Sequence, residues 1–266
     1  MQYHGIFKDI KENCINIIES EIYEDYFATF YHKFCDKTNY DLAYYIDQAF
    51  SFNNKEIKIL ELACGTGRIT IPLVKKQFNV TAIDLSSSML DVLRNQANKL
   101  PRKLKRNLTL KQINILDIDF NEEFDLVILP ATTICLLNKD EINILFDNVY
   151  YALKKNGKFI FDFINEAEER DDFVNGNREV IEIDKDELCM YQEFKDYKNR
   201  VSIVDFYVEK QNKKYMTSTI KNMINKNIII EAVKKSKFNN NNLCSEFLNS
   251  FQSNELIINI LEKVGD

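Results

Sequence analysis

Between residues 57 and 163 the chain alternates short apolar, β-branched runs with longer amphipathic stretches. Ile57–Leu62, Val80–Ile83, Leu108–Ile113, Phe124–Leu129 and Lys158–Phe163 read as strands, and Arg68–Gln77, Ser87–Lys99 and Glu141–Leu153 read as helices. The helix from Glu141 carries an Asn138 cap with Glu141 three residues on, and it stops before Asn156-Gly157. Phe124–Leu129 is almost continuously apolar, as expected of a strand covered on both faces. Strands alternating with helices predict a doubly wound, mostly parallel sheet. Before it, residues 6–52 show helical spacing, with Ile22, Tyr26 and Phe30, then Leu42, Tyr45, Ile46 and Ala49. After Ile164 the period shortens. Val180–Ile183, Leu188–Phe194, Arg200–Glu209, Lys214–Met223 and Ile228–Val233 read as an antiparallel meander, with Phe194, Val204 and Phe206 pointing inward. Asn239–Asn242 reads as a loop, and Ser253–Val264 as a last helix.

Composition narrows the classes. Of 266 residues 45% are hydrophobic and 29% charged, with six Gly and three Pro, which excludes fibrous and disordered chains. Thirty-five basic against 41 acidic residues give a net charge of −6, so no nucleic-acid partner is indicated. The apolar runs are too short for a membrane span, and the start shows no signal peptide. The six cysteines form no CxxC or zinc spacing, and His4 and His32 are isolated. The expectation is a cytoplasmic protein with free thiols and no metal site.

Chemistry concentrates in Glu61-Leu62-Ala63-Cys64-Gly65-Thr66-Gly67-Arg68, between a buried strand and a helix start. Glycines there let a ligand approach the backbone, and the helix start offers free N–H groups. A dinucleotide site wants GxGxxG, but this loop reads Ala-x-Gly-x-x-Arg. Glu61 would repel a pyrophosphate and suits a ligand with an ammonium group. Asp84, 23 residues on and at the neighbouring strand tip, is placed to accept from both hydroxyls of a ribose.

These segments, with Ile83-Asp84-Leu85-Ser86 and Met89-Leu90, closely resemble the class I S-adenosylmethionine-dependent methyltransferases over residues 38 to 164. The resemblance implies S-adenosyl-L-methionine as cofactor. Its methionine end would sit on Glu61, Ala63, Gly65, Gly67 and Arg68, its ribose on Asp84, and its adenine near Leu85 and Met89. Where the family has Gly-Asp after the third strand this chain has Ile113-Asn114, so Asn114, with Ile115 beside it, is expected at the adenine amino group, ahead of Asp117. Leu129 ends the fourth strand beside the transferred methyl, and Pro130, Thr132 and Thr133 are candidates for the acceptor pocket. Asp125 is expected to be structural. The chain has no Asn-Pro-Pro-Tyr-like or Pro-Cys motif, which argues against methylation of nucleic-acid bases.

The expected fold is therefore a Rossmann-like α/β domain at 55–170 and 250–266, with an N-terminal helical cap at 1–54 and an antiparallel β lid inserted at 171–249 over the acceptor. The expected activity is methyl transfer to a small molecule or peptide amine. The alternatives are O-methylation of a carboxylate or hydroxyl, and a non-catalytic cofactor-binding subunit. The family's sheet is finished by two further strands, and here the chain is expected to stop after the last helix. The bare edge of the fifth strand would then be covered by the lid or by a second subunit in a homodimer, unless the chain is truncated.

Overall fold

A computed structural model describes residues 1–35, 39, 41–54, 56–166, 171–239, 244–248 and 256–264, the segment 244–248 by its backbone alone. Residues 240–242 of the Asn run and 253–255 of the expected last helix lie outside the described residues. In chain order the elements are α1 (Gly5–Asn13), β1 (Ile17–Glu19), α2 (Asp25–Cys35), α3 (Leu42–Phe50), β2 (Lys58–Leu62), α4 (Thr70–Lys75), β3 (Asn79–Asp84), α5 (Ser87–Ala97), α6 (Arg102–Lys105), β4 (Leu108–Gln112), β5 (Phe124–Leu129), a 3-10 turn (Thr133–Leu136), α7 (Lys139–Ala152) and β6 (Leu153–Ile164). Then follow β7 (Phe173–Asp184), β8 (Glu187–Asp196), β9 (Val201–Lys210), β10 (Lys213–Asn222), α8 (Lys226–Lys235), β11 (Cys244–Leu248) and β12 (Leu256–Glu262).

The chain divides into two compact units, Thr38–Ala167 with Ile224–Asp266, and Met1–Lys37 with Glu168–Met223. The first unit holds a seven-stranded sheet in the order β11-β12-β6-β5-β2-β3-β4. Strands β2 to β6 run parallel, with Glu61 opposite Ala82 on one side and Ile128 on the other. Helices cover both faces, which explains the continuous apolar runs. On one face α7 and α8 bury Leu145, Phe146, Val149, Ile229 and Val233, and on the other α3, α4 and α5 bury Tyr45, Ala49, Leu73, Val74, Leu90 and Leu93. The capping box is present: the Asn138 side chain accepts from the Glu141 N–H at 3.0 Å, and Glu141 accepts from the Asn138 N–H at 2.8 Å.

Two expectations for this unit are overturned. Ile228–Val233, expected as a strand, lies in helix α8, whose Asn225 cap accepts from the Ile228 N–H at 3.1 Å. The stretch expected as a last helix is strand β12, antiparallel to β6 with Ile258 opposite Asp162, and β11 pairs with β12 beyond it. The family's closing hairpin is therefore present, and the edge of β6 is covered by the chain itself. The ground for expecting a lid or a second subunit there lapses.

The second unit is an antiparallel sheet in the order β1-β10-β9-β8-β7, with β1 added parallel to β10. The meander through β7 to β10 is as expected, and Phe194 and Phe206 are buried in two separate clusters, with Val204 packed partly against that of Phe206. The expected boundaries shift. The first 37 residues, expected within a separate cap, share this unit's cores: α2 packs Phe27 and Phe30 against Phe206 and Val208, and α1 packs Phe7 near Phe194. The helices thus bury their apolar faces in the sheet of their own unit. Residues 224–249, expected in the lid, belong to the parallel-sheet unit.

Candidate functional site

Strand β2 runs into a loop that reverses sharply at Ala63 (φ 50°), Gly65 (φ 53°) and Gly67 (φ 88°). The two glycines do different work. A Cβ on Gly67 would stand 2.2 Å from Leu93 Cδ1, so glycine there lets α5 pack against the loop. At Gly65 no atom lies within 4 Å of the place a Cβ would take, so the outer side of the loop is open to a ligand. The loop is fixed by the Cys64 N–H donating to the Ile83 carbonyl at 2.9 Å and by Gln96 Nε2 donating to the Thr66 carbonyl at 2.6 Å.

Asp84 ends the adjacent strand. One carboxylate oxygen accepts the Gly65 N–H at 2.8 Å and the other the Ser86 N–H at 2.9 Å. Ser86, not Asp84, caps α5, accepting from the Met89 N–H at 3.0 Å. A carboxylate only accepts, and it offers about four acceptor positions.

Glu61 points inward, at 1% exposure, and accepts from Thr70 Oγ1 at 2.5 Å. Burial pushes its carboxyl up to about 8, against the Thr70 hydrogen bond and the Arg68 charge, which favour the ionised form. Arg68 makes a two-pronged ion pair with buried Asp41, one prong at 2.8 Å. Met89 and Ile115 are buried, whereas Leu85 is 64% exposed. Asn114 turns its side-chain oxygen to the Leu116 N–H at 3.0 Å, and the Asp117 N–H donates to the Asn114 carbonyl at 2.9 Å. Asp125 accepts from the Lys58 N–H and pairs with Lys154 at 2.8 Å, which ties strand starts together.

Beyond buried Leu129 the tip of β5 makes a turn through Pro130, Ala131 (φ 62°), Thr132 (φ 56°) and Thr133. Two consecutive left-handed residues with side chains cost of order 1–3 kcal/mol each. Thr133 Oγ1 donates to the Pro130 carbonyl at 2.7 Å. Asp162 on β6 accepts the Ala131 N–H at 3.1 Å, the Thr132 N–H, and the Tyr45 hydroxyl at 2.5 Å. Asp162 and Tyr45 are both fully buried; burial pushes the Asp162 carboxyl up to about 6, while the Tyr45 and Thr132 hydrogen bonds hold it down. The structure thus gathers Ala63, Gly65, Gly67, Asp84 and Glu61 at the tips of β2 and β3, and the 130–133 turn at the tip of β5. Sequence reasoning missed Asp162, Asp41 and Thr70, and read Tyr45 as a helix position without its bond to Asp162. The available signal was an acid inside the apolar run Phe159-Ile160-Phe161-Asp162-Phe163. Among the described residues no group of three His, Cys, Asp or Glu is placed to hold a metal, and no helix is long and apolar enough to cross a membrane.

Ligands of open parallel sheets bind outside the carboxyl ends of the strands, where the winding changes direction. Here that point lies between β2 and β5, and the glycine loop, Asp84 and the 130–133 turn stand around it. Residues 59–157 match the family model for a methyltransferase domain. The chain thus carries a methyltransferase domain at residues 59–157. It is similar to the Bacillus subtilis protein YqeM, named as a methyltransferase, with 34% identity over 106 residues, 40% of this chain and 41% of that one. The chain spans about half the length of the curated relatives it matches. Among solved structures it is similar to an S-adenosylmethionine-dependent methyltransferase from Clostridium acetobutylicum, with 21% identity, TM-score 0.69 and coverage of 90% of this chain and 98% of that one. It is also similar to CalS10, an amino pentose methyltransferase from Micromonospora echinaspora, with 14% identity, TM-score 0.66 and coverage of 92% and 99%. These two likenesses establish the fold.

The methyltransferase domain fits its family's cofactor on its own geometry. Gly65 leaves open the outer side of the loop, and the Asp84 carboxylate stands at that loop, accepting the Gly65 N–H. Glu61 lies beneath the loop as a buried acid whose ionised form a cation would favour.

Proposed function

We propose that this chain transfers a methyl group from S-adenosyl-L-methionine to a nitrogen of a small molecule or peptide. The observation that carries the reading is the Asp84 carboxylate held against the open Gly65 loop, which sets a sugar anchor beside the loop that takes the amino-acid end. When bound, the cofactor supplies an activated methyl on a sulfonium. The chain's own part is to orient: Asp84 holds the ribose, Ala63, Gly65 and Gly67 take the methionine end above Glu61, Arg68 pairs with Asp41 behind the loop, and Met89, Asn114 and Ile115 border the adenine. Leu129 closes the floor, and Pro130, Thr132 and Thr133 face the acceptor. Alignment and exclusion of water account for the rate, and an amine that arrives neutral needs no general base.

The nitrogen preference is supported by the likeness to the amino pentose enzyme over nearly the full length of both chains. The antiparallel unit is proposed as the lid that selects the acceptor; exchanging its exposed hairpin residues would change the acceptor KM and leave cofactor affinity unchanged.

The test is calorimetric titration with S-adenosylmethionine, followed by release of S-adenosylhomocysteine with a panel of amines, amino sugars, phenols and carboxylic acids. Binding with turnover of amines supports the reading. Turnover of phenols or acids alone replaces it with O-methylation, binding without any turnover with a non-catalytic subunit, and absence of binding removes it.

A further inference from the structure

The turn after β5 is held in an unusual way. Glycine would enter the left-handed region freely at positions 131 and 132, yet the chain has Ala131 at φ 62° and Thr132 at φ 56°. Their N–H groups converge on one carboxylate, Asp162, which also accepts from Tyr45. Asp162 follows Phe161, the partner of Leu129, so it stands beside the point where β5 ends. On its other side it lies opposite Ile258 of β12. A buried acid surrounded by apolar strands is a costly way to make a turn, and such departures gather where a protein works.

The chemistry is specific to a carboxylate. Three donors point at Asp162, and an ionised carboxylate only accepts. An amide in its place would keep one acceptor oxygen and turn a donor toward a donor. Asp41 and Arg68 act on both Asp162 and Tyr45 through their charges, so the carboxylate lies within range of a paired anion and cation.

We propose that Asp162 is a positioning residue of the acceptor site: with Tyr45 behind it, its carboxylate fixes the 130–133 turn in the shape that presents the acceptor to the transferred methyl. The proposal rests on the methyl-transfer reading of the same site. Asp162 touches neither the glycine loop nor Asp84 through any described hydrogen bond, so it governs transfer and not cofactor affinity. Its carboxyl, raised to about 6 by burial, must be ionised to hold all three donors, so the turn loosens as pH falls through that range.

The experiment uses the full chain, with Asp162→Asn and Tyr45→Phe. The expected result for Asp162→Asn is a cofactor dissociation constant within threefold of wild type, by titration with S-adenosylmethionine. Methyl transfer to the amine that wild type methylates fastest falls 10- to 100-fold, and the acid limb of the rate–pH profile disappears. Adding Ala131→Gly to that variant, which removes the strain, recovers at least fivefold of the lost rate. Tyr45→Phe keeps the carboxylate and removes a bond that favours its ionised form, so the acid limb moves to higher pH. A readout independent of any acceptor is amide NMR of wild type, in which the Ala131 and Thr132 N–H signals titrate together near pH 6. Titration absent from both amides, an unchanged rate in Asp162→Asn, or equal losses of rate and cofactor affinity would each overturn the proposal. A wild-type chain that transfers methyl groups while these variants behave like it overturns this proposal alone. One that binds no S-adenosylmethionine overturns the methyl-transfer reading and this proposal with it.

Discussion

The two units handle strain and buried charge differently. In the antiparallel unit the left-handed residues sit where turns demand them, as at Asn16, Arg200, Gln211 and Asn212. Its most buried acids are fully served. Glu187 accepts from Tyr26 at 2.6 Å and from Lys33 at 2.7 Å, with Lys210 at 3.5 Å. Burial works against its ionised form, and the Lys33 and Tyr26 hydrogen bonds outweigh it, holding the carboxyl below the usual range. In the parallel-sheet unit left-handed residues also sit between elements, as at Asn53, Gln77, Glu122 and Asn156, but those at 63, 65, 67, 131 and 132 crowd the tips of two strands, and the buried acids Glu61 and Asp162 are pushed up to about 8 and about 6. Glu187 of the antiparallel unit is held ionised by its donors and cations, whereas burial outweighs the donors at Glu61 and Asp162, near one end of the other unit's sheet. That contrast supports the proposed placing of the chemistry in the parallel-sheet unit.

The largest effect that would break or sharpen the contrast is Asp84→Ala. It should lower S-adenosylmethionine affinity by roughly one to three orders of magnitude, at about 1.4 kcal/mol per tenfold. The variant should still fold, with a stability loss of about 1–3 kcal/mol because the Gly65 and Ser86 N–H groups lose their acceptor. Calorimetry and a melting curve on one sample read both halves; unchanged affinity in a folded variant would take Asp84 out of the site.

Next is Gly67→Ala. A left-handed φ of 88° and a Cβ pressed against Leu93 should cost about 2–4 kcal/mol of folding free energy in a urea titration. By contrast Lys33→Met, in the antiparallel unit, should lose stability with no change in cofactor affinity. An affinity loss there would blur the division between the units.

Glu61→Gln tests the buried acid. Because the folded carboxyl is raised from 4.5 to about 8, wild-type stability is fully present below about pH 4.5 and declines as pH rises through about 8. The variant has nothing to ionise there, so its melting temperature should fall less than that of wild type between pH 6 and 9, a difference on the order of a few kcal/mol in stability. Parallel melting profiles would show Glu61 ionised throughout.

The smallest effect is at Asn114, where alanine should weaken cofactor binding by about 1 kcal/mol and Asp117→Ala by less. The reverse order would mean that the adenine is bordered by the next turn of the chain.

Much of this was legible in the residues. The five parallel strands follow from short apolar, β-branched runs alternating with amphipathic stretches, and the loop from its glycines. The two reversals at the C-terminal side have one cause. Leu256-Ile257-Ile258-Asn259-Ile260-Leu261 is buried on both faces, so it shows no alternation and reads equally as helix. Ile228–Ile230 is β-branched, and packing against α7 overrides that local preference. At the site, Gly65 and Asp84 were visible because they carry a spacing. Asp162 and Tyr45 were not, because their roles depend on a contact between residues more than a hundred positions apart.

The pairing of β12 with β6 has a further consequence in time. These neighbours are separated by roughly a hundred residues, with the whole β7–β10 meander between them. Closing so long a loop before any contact rewards it is slow. During synthesis β6 therefore emerges with an open flank, and a nascent chain in that state is exposed to wrong partners. Asp162 lies on that flank. The acceptor turn would be among the last parts of the molecule to settle, after the glycine loop, whose strands and helices are close neighbours in the chain.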